Sequence, residues 1–147
     1  RIAEMHKPFS DEGSENPYSI HRELQETMQK NVGIIRTETE MKTALEDIQS
    51  LRGRYNSVGI EGNIQYNPGW HMALDLEHML TVAEAVTRAA LERKESRGGH
   101  TRDDFPETSA EFGRVNVVVK LNESGVQVSQ DQLPAMPEEL QMLFEEN

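Results

Sequence analysis

The 147-residue sequence predicts a mainly α fold, an antiparallel three-helix bundle with a C-terminal β-hairpin and a short terminal helix. Three observations carry this. Three stretches repeat apolar residues at three-to-four spacing and are joined by short connections, a valine-rich segment alternates after Pro106, and Pro137 precedes two acidic residues near the end. The divisions drawn are an arm or linker over 1–18, the bundle over 19–106, and a hairpin-and-helix extension over 107–147.

Residues 1 to 16 are polar and interrupted by Pro8 and Gly13, with Pro17 following, which describes an arm rather than a packed element. Ser19 is expected to cap a first helix through "IHRELQETMQK", with Ile20, Leu24 and Met28 on one face. "NVGII" then breaks it, because Gly33 and the β-branched cluster disfavour helix. The second helix is "TETEMKTALEDIQSLRGRY". Thr37 and Glu40 have capping-box spacing, Glu38 and Lys42 are ordered for an i,i+4 pair, and Met41, Ala44, Leu45, Ile48 and Leu51 form the buried stripe. A glycine- and proline-containing connection over 53–69 follows. The third and longest helix is expected from about Trp70 to Lys94, with Ala73, Leu76, Leu80, Ala83, Val86, Ala90 and Leu91 facing inward. Met72, Met79 and Ala89 widen that face enough to touch two neighbours. "RVNVVVKL" and "GVQVS" read as a hairpin turning at Glu123-Ser124-Gly125, and Pro137 with Glu138 and Glu139 starts the last helix.

Composition excludes several functions. Cysteine is absent, which removes disulfides, thiolate zinc sites, iron–sulfur ligation and cysteine nucleophiles. A net charge of −11 argues against nucleic acid or an anionic bilayer as a direct partner. No apolar run approaches the roughly 20 residues that span a bilayer. Apolar residues are 35% and aromatics 5%, thin for an independent domain, and with the start at Arg1 and no signal peptide this is expected of a piece of a longer polypeptide.

His71 and His78 lie seven apart on the third helix near Asp75 and Glu77, but HExxH does not occur, and His6 and His21 have no evident partner. GxGxxG, the P-loop and GxSxG are absent too. The remaining packet is "RKESRGGHTRDDFP", residues 93 to 106. Arg97 and Arg102 could hold a carboxylate, and His100 could transfer a proton. Alternatively the packet is structural. Gly98 would then stop the third helix in left-handed conformation, Arg93 and Lys94 would favour its C-terminus, and Glu95, Asp103 and Asp104 would balance the cations one for one.

These residues resemble the C-terminal helical region of the flavoprotein subunit of succinate dehydrogenases and fumarate reductases. That family's pattern is R-x-E-S-R-G-(A/G)-H-x-R-x-D-(F/Y)-P, and Arg93, Glu95, Ser96, Arg97, Gly98, Gly99, His100, Arg102, Asp104, Phe105 and Pro106 occupy it in register. "ELQETMQKNVGIIRTETEMKTALEDIQSL", with Met28, Val32, Gly33, Ile34 and Arg36, is similar to the family's first two helices, and "NPGWHMALDLEHMLTVAEAVTRAAL" to its third. The resemblance covers roughly 20 to 106. L-aspartate oxidase and adenylylsulfate reductase share a related domain, and Thr101 after the histidine leans toward the dehydrogenase version. A free-standing acidic helical interaction module is the alternative from another class, and a small metal enzyme or hydrolase on His71, His78 and His100 is a third.

The resemblance implies a parent subunit that interconverts succinate and fumarate, passing a hydride to FAD and then electrons to an iron–sulfur subunit. Its FAD attachment, dinucleotide fingerprint and dicarboxylate-binding residues lie N-terminal to this region, so no catalytic, cofactor-binding or metal residue carries over and the piece alone is expected to be inactive. Implied partners are the flavin-binding and capping domains of the same chain, the iron–sulfur subunit and, indirectly, a membrane anchor subunit. The implied location is peripheral, on the cytoplasmic side of the inner membrane. Arg97 and Arg102 are expected to make charge-assisted hydrogen bonds to Glu95 or Asp104, or to carbonyls of the missing domains.

Overall fold

A computed structural model describes residues 5–9, 13–123 and 125–145. Three helices form the bundle: α1 (Pro17–Asn31), α2 (Glu38–Tyr55) and α3 (Pro68–Glu92). The first starts at Pro17, before the position expected, and its cap is Asn16 rather than Ser19. The Asn16 side chain accepts the Tyr18 N–H at 2.9 Å, while Pro17 occupies the first helical position, where a missing N–H costs nothing. An Asn-Pro pair recurs at α3, where the Asn67 side chain accepts the Trp70 N–H at 3.2 Å and its amide donates to the Glu61 and Asn63 carbonyls.

At α2 the local pattern holds. Thr37 Oγ1 accepts the Glu40 N–H and donates to the Glu40 carboxylate at 2.8 Å, and Lys42 pairs with Glu38 at 2.7 Å. The helix runs through Gly53 to Tyr55, so the connection begins three residues later than expected.

Ile20, Leu24, Ile48, Leu51, Ala73, Leu76, Leu80 and Ala83 make one core between the three helices. Val86 is not part of it. It is 45% exposed, and Thr87 takes the inward position, fully buried. A hydroxyl is tolerated there because it donates to the Ala83 carbonyl at 2.7 Å, one turn back.

Two short strands go beyond what the sequence predicts. β1 (Ile35–Arg36) pairs in parallel with β2 (Thr101–Arg102), Ile35 opposite Thr101 and Arg36 opposite Arg102. They tie the α1–α2 junction to the segment after α3.

Further along come β3 (Val115–Asn122) and β4 (Gly125–Gln132), antiparallel in register from Val115↔Gln132 to Asn122↔Gly125. The second strand reaches past the expected Ser129; Ser124, in the expected turn, lies outside the described residues. Both strands lie against α3, and Gln130 donates to Glu92 at 2.7 Å. The hairpin is thus a third neighbour of α3, beside α1 and α2. The last helix, α4 (Glu138–Glu145), exposes Leu140, Met142 and Leu143.

The described residues of the N-terminal segment lie along the α2–α3 connection. Ile60 N–H donates to the Pro8 carbonyl at 2.7 Å, Trp70 Nε1 to the Met5 carbonyl at 2.7 Å, and Gly59 N–H to the Glu15 carbonyl at 3.0 Å. Arg54 holds both Glu15 and Glu23, joining this segment to α1 and α2. Gly13 and Gly59 cross in direct backbone contact: a Cβ on Gly13 would sit 2.1 Å from the Gly59 Cα. Gly13→Ala should therefore cost about 1–3 kcal/mol by overpacking. Limited proteolysis checks it: cleavage between residues 5 and 16 should speed up while the helices stay resistant.

Candidate functional site

α3 stops at Glu92 because Arg93 turns to an extended conformation, φ −78° and ψ 99°. Gly98 is not the helix stop; it lies six residues further on. It supplies the left-handed φ of +58° for a two-residue turn closed by Arg97 N–H to His100 O at 2.8 Å and His100 N–H to Arg97 O at 3.0 Å. The turn sends the chain back across the end of α3.

The returning side chains do the capping. Arg102, with no exposed surface, donates from Nη1 to the carbonyls of Ala90, Leu91 and Arg93 at 3.2, 3.2 and 3.3 Å. His100 Nε2 donates to the Arg93 carbonyl at 3.0 Å. The cation at the helix C-terminus is thus Arg102, not Arg93 or Lys94. The other edge of the Arg102 guanidinium pairs with Asp104, Nε to Oδ1 and Nη2 to Oδ2, both at 2.7 Å, and its face lies over the Phe105 ring. Asp104 Oδ2 also accepts the Glu38 N–H at 2.9 Å, placing an anion on the N-terminus of α2. One ion pair therefore caps two helices. The Arg102 hydrogen bonds hold Asp104 at a pKa of about 2.

Glu95 anchors a second group and is fully buried. It accepts from Arg93, from Arg97 Nε at 3.0 Å and Nη2 at 3.2 Å, and from the Ser109 N–H at 2.8 Å. Burial alone would raise its pKa. The bonds from Arg97, Ser109 and Arg93 outweigh burial and keep it below the ordinary carboxylate value. Arg93 continues to the Phe112 and Val115 carbonyls, fixing β3 to the end of α3. Ser96 Oγ accepts the Arg102 N–H and donates to the Phe105 carbonyl.

The charges do not balance one for one. Arg93 and Arg97 share Glu95, and no ion pair among the described residues includes Asp103. Arg36, brought beside Arg102 by the β1–β2 pairing, has a buried Nε without an acceptor among the described residues. Burial first, and then the neighbouring cations Arg36, Arg102 and Arg93, push His100 below the ordinary imidazole value. It is a neutral donor held against a carbonyl, a poor position for moving protons to a ligand. The expected bonds of Arg97 to Glu95 and of Arg102 to Asp104 are both made within the chain.

The histidines do not converge. His71 and His78 are exposed on α3, and His100 lies beyond its far end. Among the described residues no group of three or more His, Cys, Asp or Glu could hold a metal ion. A cleft of about 940 Å³ lies between the N-terminal segment and the starts of α1 and α3, lined by Gly13, Glu15, Asn16, Gly59, Glu61 and Asn67, and touches none of the candidate residues.

Comparisons with known proteins agree on one family. The model described as "Fumarate reductase flavoprotein C-term" matches residues 21–142. The fumarate reductase flavoprotein subunit of Helicobacter pylori is 34% identical over 108 residues, 73% of this chain and 15% of that protein. The succinate dehydrogenase flavoprotein subunit of Bacillus subtilis is 34% identical over 100 residues, 67% of this chain and 17% of that protein. Among solved structures, Mycobacterium smegmatis Sdh1 in complex with UQ1 superposes with a TM-score of 0.93 at 41% identity, over 98% of this chain and 25% of that one. The chain thus spans 15–17% of the length of these two curated relatives.

Proposed function

The chain belongs to the succinate dehydrogenase and fumarate reductase flavoprotein family, as its C-terminal domain, and on that footing we propose that its role is architectural. The domain packs on the flavin-binding part of a flavoprotein subunit that interconverts succinate and fumarate through FAD, and it contributes to assembly with an iron–sulfur subunit. The whole sits peripherally on the cytoplasmic side of the inner membrane, in a complex with a membrane anchor. No helix among the described residues is long and apolar enough to cross a membrane itself. The FAD would be held by residues outside this chain.

One observation carries the reading. Arg93, Glu95, Arg97, His100, Arg102 and Asp104 are engaged with one another and with the carbonyls and amides of α2, α3 and the loop before β3. A substrate would have to displace those partners to use the buried Glu95 or Arg102. The residues divide into two carboxylate-centred groups, Glu95 with Arg93 and Arg97, and Asp104 with Arg102. The divisions at 19–106 and 107–147 are best treated as one unit, because Arg93 stitches β3 to the end of α3.

The test is Arg97→Ala in the full-length flavoprotein. The expected result is a smaller FAD-loaded or assembled fraction with turnover per bound flavin retained. Normal flavin content and assembly with turnover abolished would make the segment catalytic and sink the proposal.

A further inference from the structure

Among the described residues, Arg36 beside the candidate site is left incomplete. Its Nε is buried without an acceptor among the described residues, an expensive arrangement for a charged donor. Burial, and then the Arg102 charge, act against its protonated form. The same place has two further unfinished features. Ile34 and Ile35 are 70% and 62% exposed, so both faces of the strand are uncovered at adjacent positions. Among the described residues the β1–β2 sheet also has only two strands. Thr101 N–H donates to the Ile34 carbonyl at 3.2 Å and Asp103 N–H to the Arg36 carbonyl at 3.1 Å, so the parallel alternation turns the Ile35 N–H and C=O away from β2, toward an open edge. An unpaired edge bearing two isoleucines is a template for another strand.

From this juxtaposition we infer that β1 receives an extended segment from the flavin-binding part of the same polypeptide, which pairs with the Ile35 edge, covers Ile34 and Ile35, and sets a carboxylate on Arg36 Nε. A carboxylate fits because the guanidiniums of Arg36 and Arg102 and the imidazole of His100 adjoin, while the nearby carboxylates of the described residues are engaged elsewhere, Asp104 by Arg102 and the Glu38 amide and Glu38 by Lys42. The same polypeptide fits because this chain is only 15–25% of the matched relatives' length. The remainder is tethered, at high effective concentration, and an extended segment needs no folded partner surface. The inference rests on the packing role proposed above and names the surface that does it.

Hydrogen exchange by mass spectrometry on the FAD-loaded full-length flavoprotein, without its partner subunit, tests this. The Ile35 amide should exchange roughly 100-fold slower than an unstructured amide, a protection this chain alone does not supply. Arg36→Met should remove at least tenfold of that protection (roughly, by loss of one charged hydrogen bond), and Arg36→Lys should restore part of it. Far-UV circular dichroism of both variants checks that the helices remain. Three results overturn the inference. A fast Ile35 amide with other faces of the domain protected removes this surface and leaves the packing role standing. Protection appearing only on adding the partner subunit changes the occupant. Protection unchanged in Arg36→Met removes the carboxylate contact. Exchange that is fast over every face of the domain would overturn the packing role itself.

Discussion

Arg102→Met should destabilise the domain by about 3–5 kcal/mol, the scale for removing one partner from a buried ion pair. The side chain has no exposed surface and holds three α3 carbonyls on one edge and Asp104 on the other. Methionine fills much of the volume but takes the donor from the carbonyls of Ala90 and Leu91, leaves that of Arg93 to His100 alone, and leaves Asp104 without its counter-ion. The loss spreads to α2, because Asp104 also accepts the Glu38 amide. Lysine in place of Arg102 keeps the charge but cannot make the two-pronged pair and three carbonyl bonds together, so it should recover only part of the stability. Urea unfolding, with the slope unchanged and the midpoint lowered, is the measurement.

Glu95→Gln should cost about 3 kcal/mol and also reshape the acid limb of stability. Glutamine is nearly the same size, but its amide nitrogen is a donor facing Arg97 or Ser109 donors, and two guanidiniums lose their shared anion. The sign of the pH effect follows from the direction of the shift. Folded Glu95 holds its proton less tightly than the unfolded chain, with its ordinary value of 4.5. Its contribution is therefore present above that value and lost as pH falls through the folded one. Asp104 behaves alike between 3.8 and about 2. His100 adds in the same direction from about pH 6.5 downward, because the unfolded imidazole takes up a proton that the buried one resists. Urea midpoints measured from pH 3 to 8 should fall with acid below about pH 6.5. In Glu95→Gln the fall below pH 4.5 should be shallower. An unaltered acid limb would mean that Glu95 carries no such linkage.

The three helices were legible because their buried stripes recur locally, and the Thr37 cap because both its partners lie within four residues. The caps at Asn16 and Asn67 had a local signal as well, an Asn followed by Pro at the first helical position, and Ser19 masked the first of them. The charged segment was legible in composition but not in partners. Glu95 with Arg97, and Arg102 with Asp104, are two residues apart and follow from opposite sign. The role of Arg102 at the end of α3 does not, because its acceptors are main-chain carbonyls and any sequence supplies those. Gly98 shows the same division: the need for a left-handed residue was readable, but the turn it serves was not the one expected. β1 and β2 are two residues each, too short for any periodicity. Thr87 displaced Val86 from the core because a threonine hydroxyl finds its acceptor inside its own helix.

The Glu38–Asp104 bond joins residues 66 apart in sequence, as does the pairing of Ile35 with Thr101. Closing so large a loop is entropically costly, and no single bond there rewards it until α2 and α3 already stand side by side. The clasp therefore belongs to the end of the folding reaction, after the rate-limiting step. Interactions made that late leave the folding rate nearly untouched and act on the rate of escape. In a chevron, the part of the Arg102→Met loss that reaches α2 through Asp104 should appear in the unfolding arm. The segment that marks the chain's family is thus the lock on its lifetime, setting how long the folded domain persists once formed.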